Sequence, residues 1–185
     1  MLGNLRHFYS WMPLKLLKLE LVRSAAVCDK NNMSSNLSFQ YCQKLIILSA
    51  DRKAVLLAQR RGEADYDGVY SFIGGKMETT DKSLLAGMKR EKDEEIGEGT
   101  KVKVLPHESY NLLFRKKDGN SVVLPHIAGL FQSGTIMLSN EYSTYRWVPL
   151  TKLSSFEPKI ENIPELTSWA VAKLAATDST CMTEI

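Results

Sequence analysis

The 185-residue sequence contains few of the residues that build disulfide frameworks or histidine-based metal sites. It has three cysteines, an odd number, and three histidines, and neither set shows the close spacing of a zinc site. Scattered cysteines are typical of a reducing compartment, so we predict a cytoplasmic location. No apolar run reaches the roughly 20 residues of a membrane-spanning helix, and there is no internal repeat. The residues in question are Cys28, Cys42, Cys181, His7, His107 and His126.

Charge is balanced everywhere except at the amino terminus. The sequence has 24 basic and 21 acidic residues, of which residues 1–32 contain five basic and two acidic ones. Residues 33–185 therefore carry 19 of each, and the net charge of +3 lies in the first 32 residues. A balanced domain lacks the basic surface typical of nucleic-acid binding, so we expect no nucleic-acid partner.

The chain is predicted to have one folded domain between two extensions. Residues 1–40 combine an apolar, basic stretch with a polar linker. Three interpretations of them stay open: a loosely docked extension, an organelle-targeting leader, or sequence upstream of a start at Met33. We favour a dispensable leader, so a chain that begins at Met33 is expected to fold. Residues 41–176 form the predicted domain, large enough for a core of its own, and residues 177–185 a flexible tail.

Hydrophobic patterns in the domain predict a mixture of strands and helices. The predicted strands are 43–49, 54–60, 69–73, 110–115, 121–131 and 145–150. The fourth and fifth form a hairpin around Asp118-Gly119, and Pro125 predicts that its return strand is an edge strand or carries a bulge. The predicted helices are 81–96, which ends at Gly97, and 164–176. This order predicts a mixed sheet between helices.

One face of the first predicted helix carries three carboxylates. Glu91, Glu94 and Glu95 stand at positions i, i+3 and i+4, which fall within roughly a 100° arc. Like charges at this spacing repel one another, and Mg²⁺ relieves the repulsion because it prefers carboxylate oxygens and substrate phosphates. The pattern predicts a metal site beside a phosphorylated ligand. The alternative is a solvated surface helix held by Glu–Lys pairs.

The residues around this helix resemble the box of the Nudix hydrolase family, in which a glycine and a glutamate precede the pattern R-E-U-x-E-E-x-G-U, with U apolar. Six of the nine specified positions match, namely Gly75, Arg90, Glu91, Glu94, Glu95 and Gly97. Three depart from it, namely Asp81, Lys92 and Glu98, and the spacer from Lys82 to Lys89 is one residue longer than in the family. Lys92 is expected on the helix face that packs against the sheet. The resemblance covers residues 41–176.

The resemblance implies an α/β/α sandwich with a mixed β-sheet, and hydrolysis of a nucleoside diphosphate linked to another group. Arg90 would orient the carboxylates through ion pairs. A further carboxylate, Glu141, would come from the loop before a late strand. The cofactor implied is Mg²⁺, with Mn²⁺ as a substitute. Its implied ligands are Glu91, Glu94, Glu95 and the carbonyl of the Gly75 region.

The chemistry of a diphosphate substrate suggests further roles. Gly75 lets the backbone approach metal or phosphate, and Arg60, Arg61 and Lys76 could bind the diphosphate. A glutamate without a metal bond could accept the proton of the attacking water, and Glu95 and Glu141 are the two candidates. A non-hydrolytic nucleotide sensor, a scaffold protein and a diphosphate isomerase on the same fold stay open as alternatives. The nucleotide itself, and whether two copies form a homodimer, also stay open.

Overall fold

The computed structural model describes residues 39–63, 66–116 and 119–185. The predictions made for residues 1–38, including the leader and the start at Met33, lie outside the described residues. Within the described ranges, nine strands form one sheet and two helices accompany it. The helices are α1 (Leu84–Ile96) and α2 (Ile163–Ala176). The strands are β1 (Phe39–Tyr41), β2 (Lys44–Leu48), β3 (Ala54–Arg60), β4 (Tyr70–Ser71), β5 (Lys101–Val104), β6 (Tyr110–Arg115), β7 (Ser121–Ser133), β8 (Tyr142–Pro149) and β9 (Thr183–Glu184).

The sheet is mixed, as the sequence predicts. Its main path runs β4-β3-β2-β7-β5-β9, with β1 and β6 paired to β7 and β8 paired to β3. The long strand β7 is parallel to β1 and β2 and antiparallel to β5 and β6. It therefore forms the centre of the sheet, beside the strand β2 that borders the glycine pair.

The two helices cover opposite faces of the sheet. Consecutive side chains of a strand point to opposite faces, and in β2 they join different core clusters. Leu45 and Ile47 pack in the cluster that contains Met88 and Ile96 of α1. Ile46 and Leu48 pack in the other cluster, which contains the apolar face of α2. The predicted α/β/α sandwich is confirmed, and it is the α1 face that carries the acidic motif.

Pro125 lies in the central strand β7, so the edge-strand alternative is wrong; β7 does carry a register shift, but opposite Lys101 and Val102 rather than at Pro125. The β1 ladder with β7 ends at Val123, and the β2 ladder begins at His126. Pro125 falls between these two ladders, where the missing N–H removes no hydrogen bond to either strand. On its other side Pro125 pairs in register with Asn111 of β6.

Helix α1 begins three residues later than predicted. The Ser83 side chain caps it by accepting the N–H of Ala86 at 3.1 Å. Asp81 lies before the helix, in a turn where its N–H donates to the Glu78 carbonyl. This turn accommodates the additional spacer residue, so the helix itself stays regular. The helix ends at Gly97, as predicted, where the Gly97 N–H donates to the Asp93 carbonyl.

The carboxyl-terminal segment is ordered, in contrast to the flexible tail expected for residues 177–185. A short 3₁₀ turn at Ser179–Cys181 is followed by β9, which pairs with β5. The Ile185 side chain is buried in the α1-side cluster. The sequence does not predict β9, because a two-residue strand and one apolar side chain produce no periodic pattern. Neither described helix is long and apolar enough to span a bilayer.

Lys92 lies on the packed face of α1, as expected, and is the largest of the fully buried side chains. Its ammonium donates to the Thr100 carbonyl at 2.7 Å and forms an ion pair with Asp93. The Thr100 hydroxyl in turn donates to the Ile96 and Thr135 carbonyls. Lys92 thus stands where the family pattern has an apolar residue, and its ammonium links the end of α1 to the Thr100 carbonyl in the loop that follows.

We predict that Lys92→Met destabilises the fold far more than Lys89→Met. Lys92 is 1% exposed, so its loss leaves the Thr100 carbonyl and Asp93 without a buried donor, which costs about 2–4 kcal/mol. Lys89 pairs with the same aspartate but is 52% exposed, and its loss costs less than about 1 kcal/mol. Urea unfolding of both variants measures the difference. Equal losses would show that the buried ammonium has no special role.

Candidate active site

The glycine pair brings the backbone against β2 and α1. The Leu45 N–H donates to the Ile73 carbonyl at 2.8 Å, and the Gln43 N–H donates to the Gly75 carbonyl at 2.9 Å. Gly74, between them, has a φ of +116°, and a Cβ there would lie 2.5 Å from the Gln43 carbonyl oxygen. A Cβ on Gly75 would lie 2.2 Å from Oε2 of Glu91. Gly74 therefore requires glycine, because a side chain there would meet backbone at a positive φ, and a side chain at Gly75 would displace the Glu91 carboxylate.

Glu95 is buried at this glycine pair and held by two donors. Its Oε2 accepts the Gly74 N–H at 2.5 Å, and its Oε1 accepts the Tyr142 hydroxyl at 3.0 Å. Burial raises the pKa of Glu95, and the charge of Lys44 and the Gly74 hydrogen bond oppose that rise. The side chain is 4% exposed, so this carboxylate occupies one fixed position.

Arg90 organises the acidic residues by using all five of its N–H groups. Two hydrogen bonds, at 3.0 and 3.1 Å, bind Asp81 in a bidentate pair, which holds the pKa of Asp81 below its ordinary value. Nη1 donates to Glu91 at 2.9 Å and to Glu94 at 3.0 Å, and Nη2 donates to the Lys76 carbonyl at 2.9 Å. The shorter Asp81 therefore reaches the arginine, and the guanidinium fixes two glutamates relative to the glycine loop.

Glu91 and Glu94 share Arg90 but differ in their surroundings. The Glu91 carboxylate lies against Cα of Gly75, and burial raises its pKa while Arg90 opposes that rise. The Glu94 side chain is 58% exposed. Of the three predicted carboxylates, Glu91 and Glu95 thus meet at the glycine pair, and Glu94 lies at the open edge of the same cluster.

The carbonyl that faces this cluster belongs to Gly74 rather than to Gly75. The Gly75 carbonyl is occupied by the Gln43 N–H, whereas the Gly74 carbonyl accepts a hydrogen bond from the ammonium of Lys44. The Ile73 and Gly75 carbonyls on either side of it accept backbone N–H groups, so the Gly74 carbonyl differs from both in accepting from a side chain. The Gly75 carbonyl, predicted as a ligand, thus already accepts a backbone N–H, whereas the Gly74 carbonyl accepts a side-chain cation.

Tyr142 occupies the place beside Glu95 at which the sequence led us to expect Glu141. Tyr142 is buried and begins β8. Glu141, one residue earlier, is exposed, and its carbonyl accepts the Arg61 N–H at 2.8 Å. Neighbouring side chains of an extended chain point in opposite directions. The Tyr142 phenol therefore faces the cluster, and the Glu141 carboxylate does not.

The three predicted phosphate-binding cations are placed differently. Arg60 is half-buried, pairs with Glu63, and interacts electrostatically with Lys44 and Tyr142, so it lies near the cluster. Arg61 is exposed, and its Nε donates to the Asn140 carbonyl at 3.2 Å. Lys76 is exposed and lies beside Arg90, whose Nη2 donates a hydrogen bond to the Lys76 carbonyl. Arg60 is thus the cation best placed to contact a ligand at the glycine pair.

The donor set fits a hard cation, although the described residues contain no ready-made cluster of three metal-ligating side chains. Two carboxylates and a carbonyl meet at a backbone segment that has no Cβ in the way. Oxygen donors of this kind are those that Mg²⁺ prefers. The Gly74 carbonyl already accepts a cation, the ammonium of Lys44.

Three residues of the cluster were not assigned these contacts from the sequence. Asp81 was identified as a substitute in the motif, but its bidentate bond to Arg90 depends on the turn before α1. Tyr142 could have been suggested by its position next to Glu141. Lys44 was the only charged residue in the apolar run 43–49, and a lone charge that begins a buried strand was the signal available.

Comparison with family models matches residues 44–170 to the NUDIX domain. Comparison with curated protein sequences gives no match. The matched segment contains every site residue described above, from Lys44 to Tyr142.

Solved structures share the fold at low sequence identity. A MutT protein from Methanosarcina mazei Go1 is 20% identical with a TM-score of 0.59, over 78% of this chain and 100% of that one. The NUDIX domain of Shewanella oneidensis NrtR, complexed with ADP ribose, is 19% identical with a TM-score of 0.61, over 77% and 93%. An Ap4A hydrolase from C. elegans is 17% identical with a TM-score of 0.56, over 74% and 96%. At these identities the likeness shows the fold.

We predict that Tyr142→Phe destabilises the protein more than Tyr145→Phe, another tyrosine of β8. The first change removes a donor to the buried Glu95 carboxylate, which costs about 1–3 kcal/mol, because a charged acceptor loses its partner. Tyr145 is only partly buried, so we expect its variant to lose less than about 0.5 kcal/mol. Thermal and urea unfolding measure both. A stability loss no larger in Tyr142→Phe would mean that the phenol does not hold Glu95.

Proposed function

Because this chain belongs to the Nudix hydrolase family, we propose that it is a Mg²⁺-dependent enzyme that hydrolyses nucleoside diphosphates linked to another group. The products would be a nucleoside monophosphate and the phosphorylated second group. The observation that carries the proposal is the meeting of Glu91 and Glu95 at the backbone of Gly74 and Gly75. This arrangement concentrates negative charge beside a surface that a diphosphate can approach closely.

The Gly74 carbonyl, Glu91 and Glu95 are the groups that would hold the divalent cation, with Glu94 available at the open edge. Mn²⁺ would fit the same oxygen donors. A bound divalent cation neutralises phosphoryl charge and makes water more acidic, which are the two requirements of phosphoanhydride hydrolysis. Arg90 keeps Glu91 and Glu94 oriented toward the site, and its own charge is already balanced by Asp81.

Glu95 is favoured over Glu141 as the group that accepts the proton of the attacking water, through whichever of its two carboxylate oxygens does not hold the cation. Burial raises the pKa of Glu95, which brings its basicity closer to that required near neutral pH. Tyr142 and the Gly74 N–H hold the carboxylate in place while leaving a lone pair on each oxygen. Arg60, beside this cluster, would bind the phosphate that the departing group retains.

A second candidate function is nucleotide binding without hydrolysis. The observation that favours it is the Lys44 ammonium at the Gly74 carbonyl, because a side-chain cation there could replace the metal. The departures from the family motif do not add support to it. Lys92 points to Thr100, away from the glutamates, and Asp81 binds Arg90 fully.

The decisive experiment is a substrate panel with Mg²⁺ or Mn²⁺ and chromatographic detection of the nucleoside monophosphate. ADP-ribose and diadenosine tetraphosphate belong in it, because solved neighbours are an ADP ribose complex and an Ap4A hydrolase. We predict that Glu91→Gln and Glu95→Gln each lower kcat on the order of a hundredfold or more. Glu98→Gln, an exposed glutamate just after the same helix, is the matched control and should retain wild-type activity.

Two results would contradict the proposal. Wild-type protein that binds a panel member tightly but releases no product with either metal would establish the binding function. Equal activity in wild type, Glu91→Gln and Glu95→Gln would place the chemistry elsewhere.

A further inference from the structure

Lys44 supplies a cation to the middle one of three successive carbonyls in the glycine loop. Its two neighbours in the chain, Gln43 and Leu45, donate their N–H groups to the Gly75 and Ile73 carbonyls. The intervening carbonyl, that of Gly74, accepts the Lys44 ammonium. Residues 43–45 thus occupy three successive carbonyls, two through backbone N–H groups and the middle one through a side chain.

The same ammonium balances the charge of Glu95. The Gly74 residue connects the two, because its carbonyl accepts from Lys44 and its N–H donates to Oε2 of Glu95 at 2.5 Å. Glu95 is the strongest opposite charge acting on Lys44, and Lys44 the strongest acting on Glu95. A carbonyl and a carboxylate around one cation are the oxygen donors expected to bind a divalent ion.

We propose that Lys44 is an internal cation that occupies the metal-binding donors of the metal-free protein, and that a divalent ion binds only by displacing it. This inference rests on the proposed function, because it takes the Gly74 carbonyl and Glu95 as metal ligands. We do not expect two cations to share the carbonyl, since at a few ångströms in a partly buried site they repel each other strongly. Part of the binding free energy of the metal is therefore consumed in moving the ammonium.

This competition explains how the buried Glu95 and the half-buried Glu91 coexist at the glycine pair without a metal. The raised pKa of Glu95 and of Glu91 shows that burial opposes their charge. Lys44 acts on both carboxylates and Arg90 binds Glu91, so the loop keeps its shape until an ion arrives.

Mn²⁺ binding measured by isothermal titration calorimetry on the full chain tests the competition. Lys44→Met keeps the length of the stem and removes the charge, and we expect it to bind Mn²⁺ at least about tenfold more tightly than wild type. Arg60→Met removes a nearby charge that pairs with Glu63 rather than with Gly74, so its affinity should rise less than about threefold. Lys44→Arg keeps a cation in place and should bind no more tightly than wild type.

Equal tightening in Lys44→Met and Arg60→Met would overturn the inference, because the effect would then be one of overall charge. Unchanged affinity in Lys44→Met would overturn it as well. In both cases Mn²⁺ binding by wild type that is lost in Glu91→Gln would leave the proposed function standing. If neither wild type nor Lys44→Met binds Mn²⁺, the proposed metal site itself fails.

A measurement on the unaltered chain does not depend on how the variants fold. The NMR signal of the Lys44 side-chain Cε is expected to move when Mg²⁺ is added to saturation, because the ammonium leaves the Gly74 carbonyl. The signal of Lys89, an exposed lysine of α1, should stay in place. A Lys44 signal that does not move while Mg²⁺ binds would show that the two cations do not compete.

Discussion

The close approach of the Gly74–Gly75 backbone to the acidic helix is the constraint on which the rest of this structure depends. A Cβ at Gly74 would meet the Gln43 carbonyl, and a Cβ at Gly75 would displace the Glu91 carboxylate. That contact brings α1 against the end of β4 and orients Glu91 and Glu95 to the same stretch of backbone. Arg90 and Lys44 then provide the positive charge that allows these carboxylates to be half-buried or buried together.

Much of the fold could be predicted because long amphipathic elements leave periodic signals. The strands β2, β3, β6 and β7, the helix α2 and the end of α1 at Gly97 were anticipated from such patterns. Short elements were missed, because β1 has three residues, β5 four and β9 two, too few for a period to show. The edge-strand prediction drawn from Pro125 failed for a different reason. Local rules exclude proline from a central strand, but here its missing N–H falls between two ladders, which only tertiary structure reveals.

The candidate site likewise has residues that the sequence predicts and residues that only the tertiary structure brings together. Glu91, Glu94, Glu95 and Arg90 lie within one motif on one helix, so their spacing alone predicted a common cluster. Lys44 and Tyr142 come from β2 and β8, far from that helix in the chain, and only the sheet brings them to Glu95. The assignment of the backbone ligand also needed three dimensions, because the sequence does not say which of two adjacent carbonyls β2 occupies.

The most direct test of the central claim is to locate a bound divalent ion by NMR. Mn²⁺ broadens the signals of nuclei close to it, so substoichiometric Mn²⁺ added to ¹⁵N-labelled protein reports its position residue by residue. Our account predicts that the amide signals of Gly74 and Gly75 disappear first, together with those of residues 91–95. Broadening centred on other exposed acidic residues, such as Glu157 and Glu161, or no selective broadening, would contradict it.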